Sequence, residues 1–295
     1  MRYWLASVGL LFITSSPALA VATQRPMRVA VIDFGSTALA KATAAEFRTN
    51  LATYDGLRVI DRDLSGAAAR GSGYSGSLNL TVLEAKNLGA SMDADFYLIG
   101  DAQTLRRSSF SKLVYYQAYL SVFVISSRTG ALVKWERIAA ESDGASNSER
   151  QLLQLLESRQ TIRITDLAMR SAAAKESTER LQYLTSSTPV IEEAPEDDKI
   201  ASALGIRLPK PYRRLHPLYT ESAADAEVEA TVDVLVDIGA DGEVHQVQIA
   251  RWAGFGLDES TVATVRQLHF FPAMRDGTPI PMRVLLRYNF RKPPQ

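Results

Sequence analysis

The 295-residue chain has no cysteine, only three histidines and no surplus of either charge. Without cysteine, disulfides, thiolate nucleophiles, zinc–thiolate centres and lipid attachment at an N-terminal cysteine are all excluded. The 33 Lys+Arg balance 33 Asp+Glu, which removes any global argument for nucleic acid or an anionic membrane as partner. The histidines His216, His245 and His269 form no pair at metal-ligand spacing and have no carboxylate set beside them, so no metal and no cofactor is expected. An apolar run at residues 4–14 is too short to cross a hydrocarbon core of ~30 Å as a helix.

What is there is an ordinary globular composition, 46% hydrophobic and 22% charged, with length for about two domains. The first segment reads as an export signal over residues 1–20. Arg2 supplies the positive charge, the 4–14 run the apolar core, and Ala18-Leu19-Ala20 a small-x-small cleavage site. Export to the periplasm follows as the expectation; the competing reading is an uncleaved inner-membrane anchor over residues 3–22. Apart from that segment, contact with a membrane is expected only through partners.

Strands alternating with helices over residues 26–140, closed by a hairpin at Ser127-Arg128-Thr129-Gly130, argue for an α/β sandwich with a mixed sheet. A helical extension occupies 141–185: one long helix over 146–170, with an apolar stripe of Leu152, Leu153, Leu155, Leu156, Ile162 and Leu167, and a helical pattern again over 172–184. Residues 186–212 read as a solvated linker, because Glu192-Glu193-Ala194-Pro195-Glu196-Asp197-Asp198 is acidic and Leu208-Pro209-Lys210-Pro211 is stiff.

Motifs that could carry chemistry do not complete themselves. The glycine-rich stretch 71–77 lacks the Gly-Lys-Ser/Thr ending of a phosphate loop, and it ends in Ser where a nucleophile elbow needs Gly. Asp61-Arg62-Asp63 reads as an ion pair at a strand end rather than a general acid/base pair. Arg106, Arg107 and Lys112 beside Tyr115 and Tyr116 are too few for a nucleic-acid surface in a neutral chain. No catalytic residue is assigned, and the chain is not read as an enzyme.

The last eighty residues, 213–295, carry the clearest pattern. Val228, Ala230, Val232, Val234 and Val236 alternate with polar residues, so they line one face of a strand. Gly239-Ala240-Asp241-Gly242 signals a hairpin, and residues 244–250 form its second strand. Leu257, Val262, Val265 and Leu268 fall at helical spacing, with Asp258 and Glu259 in the first turn where the dipole favours acid. A final strand over 282–290 puts Met282, Val284, Leu286, Tyr288 and Phe290 on one face. Overall, the fold class is α+β: an N-terminal sandwich, a helical connector and linker, and a C-terminal hairpin–helix–strand module.

His216-Pro217, Asp241-Gly242, Leu257-Asp258, Phe270-x-Pro272-Ala273 and Gly277-x-Pro279, in that order, resemble the C-terminal domain of the TonB family of energy transducers; His216 stands where that family commonly has Tyr. Val29 to Phe34, Val59-Ile60-Asp61-Arg62, Gly89-Ala90 with Asp95 to Gly100, and Ser127-x-Thr129-Gly130 are similar to the CsgG-like family and to the N-terminal domain of TolB-like proteins. The first resemblance implies that the last strand pairs with an extended segment of an outer-membrane receptor or other envelope protein. Such strand addition uses backbone groups for affinity and alternate side chains for register. On that strand Arg283, Leu285, Arg287 and Asn289 face outward and form the expected partner-binding edge, where the two arginines either meet an acidic partner or only keep the edge soluble. Where an energy transducer needs a retained anchor and a long Pro-rich spacer, this sequence has a cleavable-looking signal and a globular domain, so energy transfer is not the expectation. The alternative function is structural: the CsgG-like domain forms a homo-oligomer and the TonB-like module dimerises or caps it.

Overall fold

The computed structural model describes residues 25–109, 112–185 and 191–292; the segment 1–20, expected to be an export signal, lies outside them. The chain opens with β1 (Met27–Val31), α1 (Ala38–Leu51), β2 (Leu57–Val59), α2 (Arg62–Gly71), α3 (Val82–Ser91), β3 (Phe96–Arg107), β4 (Tyr115–Ser126), β5 (Leu132–Ser142), α4 (Ala145–Glu157) and α5 (Gln160–Thr185). Its five strands form one mixed sheet in the order β2-β1-β3-β4-β5, with β2, β1 and β3 parallel and β4 and β5 antiparallel. The helix starts are specified locally. The Thr37 hydroxyl accepts the Ala40 N–H at α1, and Thr81 with Glu84 closes a capping box at α3.

Each face of this sheet has its own cover. Val29, Phe47, Leu98, Leu152, Ile162 and Met169 pack α1, α4 and α5 on one side. The other face presents Ala30, Tyr97, Phe123 and Ile125. Two expectations need correction here. Asp61 is not a strand-end partner of Arg62; it caps α2, accepting the N–H groups of Asp63 and Leu64, while Arg62 reaches Asp33. The long connector helix is two helices, because Arg159 takes a positive φ of 56° between α4 and α5.

The expected free linker is also corrected. Within 186–212, the described residues 191–212 contain β6 (Glu192–Glu193), α6 (Asp198–Ala203), β7 (Ile206–Arg207) and β8 (Lys210–Pro211). Each short strand joins the C-terminal module. That module continues with α7 (Glu221–Asp225), β9 (Ala230–Ile238), β10 (Val244–Arg251), α8 (Leu257–Val265), β11 (Phe270–Phe271), β12 (Ala273–Arg275), β13 (Thr278–Ile280) and β14 (Met282–Phe290). β6 pairs with β14, β7 with β12 and β8 with β11. Behind them Ala201, Ile206, Ala273 and Met282 form a small apolar cluster. Residues 191–212 are therefore a strap rather than a spacer: Ile206 and Ala201 gain burial, and the backbone groups of an acidic, proline-bearing run gain partners.

The main C-terminal sheet runs β10-β9-β14-β6. Val232, Val234 and Val236 of β9 are fully buried, as the alternation requires. At the hairpin, the Gly239 N–H reaches the Glu243 carbonyl at 2.9 Å and Gly242 sits at φ +84°, where a Cβ would run into the Phe270 carbonyl.

The two halves share one core. Trp252 is buried and stacks on Phe123 of β4 with ring centres 5.9 Å apart, and its indole N–H donates to the Gly130 carbonyl at 3.1 Å. Phe255 meets Phe123 at 5.7 Å and Trp135 at 5.1 Å. The Asn79 amide spans the junction. It donates to the carbonyls of Thr231 and Trp252 at 2.8 and 2.6 Å and accepts the Thr231 N–H at 3.0 Å. The open face of the first sheet is thus covered by the second module.

Candidate functional site

The full length of β14 pairs antiparallel with β9 on one side, from Met282 opposite Ile238 to Phe290 opposite Ala230. On the other side only β6 pairs with it, in parallel, at Met282 and Arg283. The expectation of a wholly open edge is therefore corrected: its first two residues are occupied by the strap. The Ala194 N–H donates to the Arg283 carbonyl at 2.8 Å, so the backbone of Arg283 faces away from β9. Backbone groups alternate direction along a strand. Leu285, Arg287 and Asn289 consequently aim their N–H and C=O groups at the same outer side, where no strand pairs with them among the described residues.

A cavity of about 420 Å³ runs below this edge. Leu286, Tyr288 and Phe290 of β14, Leu268, and Leu215 and Pro217 supply apolar wall, while Arg213 and Arg214 stand at the rim without an ion pair among the described residues. A strand laid against the edge would place alternate side chains into this cavity, with the others beside Leu285 and Asn289, both exposed.

The outward arginines are not free. Arg283 grips Asp237 with two bonds of 2.6 and 2.9 Å, and Arg287 grips Asp233 with two of 2.7 and 3.0 Å. Each pair lies directly opposite across β9 and β14. Asp233 also takes Arg251 at 3.3 Å, and both aspartates are only 3% exposed. Hydrogen bonding and charge from Arg287 and Arg251 outweigh burial and hold the Asp233 carboxyl below the usual range. The two arginines thus build the sheet, and the outward charge belongs to Arg213 and Arg214, which the sequence reading left out. A signal existed: Asp233 and Asp237 share a spacing of four with Arg283 and Arg287, the signature of facing antiparallel pairs.

The histidines are dispersed. His269 contacts Glu243 at 2.9 Å, His245 approaches Asp241 at 3.6 Å, and His216 lines the cavity. No group of three or more metal-ligating side chains occurs among the described residues.

A second cavity, of about 610 Å³, opens at the junction of the halves between Trp135, Trp252, Val262 and Asp258. Both Asp258 carboxylate oxygens accept backbone N–H groups, from Ala253 and Gly254 at 2.8 Å. Burial nevertheless raises its carboxyl to about 6, with repulsion from Glu259 adding to the rise and the two N–H groups opposing it. A folded-state value above the unfolded one contributes stability that is complete below about pH 4 and is lost as pH rises through about 6. The unfolding free energy of the wild type, from urea titration, should therefore rise on acidification from pH 7 to 4 relative to Asp258→Asn, by on the order of 2 kcal/mol. A constant offset between the two proteins would contradict this.

Residues 215–291 match the sequence model of the family described as Gram-negative bacterial TonB protein C-terminal. Among solved structures the chain is similar to the TonB C-terminal domain of Pseudomonas aeruginosa, at 22% identity and TM-score 0.26, covering 30% of this chain and 89% of that one. It is similar to the LpoB C-terminal domain of Salmonella enterica at 19% identity and TM-score 0.26, covering 38% and 81%. The hypothetical protein CT253 of Chlamydia trachomatis is similar at 15% identity and TM-score 0.33, covering 48% and 98%. None of the curated proteins matches the chain. Among the described residues, no helix is long and apolar enough to cross a membrane.

Proposed function

We propose that this is a periplasmic protein of the TonB type that binds an envelope protein by adding an extended segment of it to the open edge of β14. One observation carries the reading: three successive outward residues, Leu285, Arg287 and Asn289, have outer backbone groups with no strand partner among the described residues, directly above an apolar cavity. The family match over 215–291 supports an envelope setting and a protein partner. Outer-membrane receptors are the partner class proposed, with a role in transport. No catalytic step and no cofactor is assigned: Asp258 has both oxygens engaged, and Lys134, which lines the same cavity, is paired with Glu136 at 3.4 Å.

The structural alternative, in which the first domain oligomerises and the second caps, loses force because the apolar face a capping module would offer is already on Phe123 and Ile125. Proton-driven energy transfer forms no part of the proposal.

Charge reversal at Arg283 and Arg287 would disturb the sheet before it tested the edge, so the test is directed at the backbone. The full chain is titrated with synthetic extended segments from the periplasmic plugs of outer-membrane receptors of the same genome. At least one should saturate the protein, and methylating its alternate amide nitrogens should abolish binding. If no segment binds, or if the methylated form binds equally, strand addition is wrong.

A further inference from the structure

The strap and the proposed partner compete for one set of backbone groups. β6 is two residues long, runs parallel to β14 and engages the Arg283 carbonyl through Ala194. Pro195 follows at once. Its nitrogen is turned away from β14, so the missing N–H leaves the Ala194 bond untouched, but no backbone bond to β14 follows Ala194 among the described residues, and the chain leaves the edge just where Leu285 begins to be free. What holds β6 is slight: the half-buried methyl of Ala194 against the cluster of Ala201, Ile206, Ala273 and Met282, and one ion pair. Glu192 makes a two-point contact with Arg275 at 2.7 and 2.9 Å, but both side chains are close to half exposed. Exposed pairs of this kind contribute little.

The rest of the strap does not depend on β6. Asp197 caps α6 by accepting the N–H groups of Lys199 and Ile200, both at 2.8 Å. Ala201 and Ile206 are anchored against Ala273 and Met282. β7 and β8 keep their own partners in β12 and β11. The segment from Glu192 to Ala194 can therefore detach with Pro195 and Glu196 as its hinge, giving up the contact of Ala194 with the cluster while α6, β7 and β8 keep their partners.

Resting on the strand-addition reading, we propose that β6 is an internal occupant of the partner's site. It shortens the acceptor edge to Leu285, Arg287 and Asn289 when no partner is present. Its release extends that edge back to Arg283, so a long partner strand must displace it while a short one need not. The device regulates access by length: an extended segment that covers only the free residues binds beside the strap, and one that covers the whole of β14 meets competition from the chain itself.

The test uses the full chain and a labelled peptide, Val-Ile-Glu-Glu-Ala-Val-Thr-Val-Thr-Val, in which the strap's own residues precede an alternating run that covers the rest of β14. Binding is read by fluorescence anisotropy in wild type and in the variant Glu192→Ala with Ala194→Pro, which removes the contact to Arg275 and the N–H to Arg283. The variant is expected to bind about five- to tenfold more tightly, the weight of one net backbone hydrogen bond. The truncated probe Val-Thr-Val-Thr-Val should bind both proteins alike. Equal affinity of the long probe for both proteins, with the form methylated on alternate nitrogens inert, overturns the role of β6 and leaves strand addition standing. Undiminished binding of the methylated probe instead removes strand addition itself. Unchanged circular dichroism, with melting lowered by no more than the loss of that one contact requires, establishes that only the strap's edge contact has been altered.

Discussion

Trp252→Ala is expected to destabilise the whole chain by about 4 kcal/mol, the cost of deleting a fully buried tryptophan. The indole is 1% exposed, lies on Phe123 with centres 5.9 Å apart and donates to Gly130. Its removal leaves a cavity that cannot collapse easily. Gly254, at φ +75°, holds the chain so close that a Cβ would clash with Phe123, and Phe255 is fixed between Phe123 and Trp135. Because these contacts join the halves, the loss should be felt in both. Far-ultraviolet circular dichroism and the fluorescence of Trp135, which reports on the first sheet, should show one coincident transition at lower temperature. A first sheet that melts at its wild-type temperature while the C-terminal module unfolds separately would contradict a shared core. Separate expression of the modules is a poor probe of function for the same reason: each would expose the face the other covers.

Arg287→Glu is the second large effect. Asp233 is nearly inaccessible, and its two oxygens are held by Arg287 and, more weakly, Arg251. The substitution removes the two-point partner of a buried carboxylate and sets a like charge opposite it. Breaking a buried pair from one side typically costs 3–5 kcal/mol. Arg287 is 58% exposed and Arg251 remains, so water and the second guanidinium recover part of that, and a clear fall in the unfolding midpoint, smaller than a fully buried pair would give, is expected. Chemical denaturation of Arg287→Glu and Arg287→Lys separates the contributions: Lys keeps the charge without the fork and should lose less. If both variants unfold at the wild-type midpoint, these arginines are surface charges and not part of the sheet.

The sequence was legible where structure is local and periodic. The strand Met282–Phe290, the turn at Asp241-Gly242 and the start of α8 at Leu257 lie where alternation, glycine and helical spacing put them. α2 was not read, because Gly66 and Gly71 break a helical pattern that has little apolar content, and its cap, Asp61, doubles as the end of a strand-like run. The strap failed for a different reason. Pairs of two residues have no periodicity, and proline with acid is the composition of a linker whether or not the segment is tied down. Trp252-Ala253-Gly254-Phe255 likewise reads as a loop; only the distant Phe123 and Trp135 give it a place in the core. As for the site, residues 285, 287 and 289 were legible as outward positions on the last strand. Their vacancy as backbone partners depends on where the strap ends, and the roles of Arg283 and Arg287 on a register that spans some fifty residues.

Amide hydrogen exchange along β14 addresses the open edge most directly. In the free protein, the N–H groups of Leu285, Arg287 and Asn289 should exchange rapidly while those of Val284, Leu286 and Tyr288, turned toward β9, stay protected. Saturation with an extended segment should protect the first three and leave the others as they were. Uniform protection of all six before any segment is added would mean that the outer side of β14 is already closed.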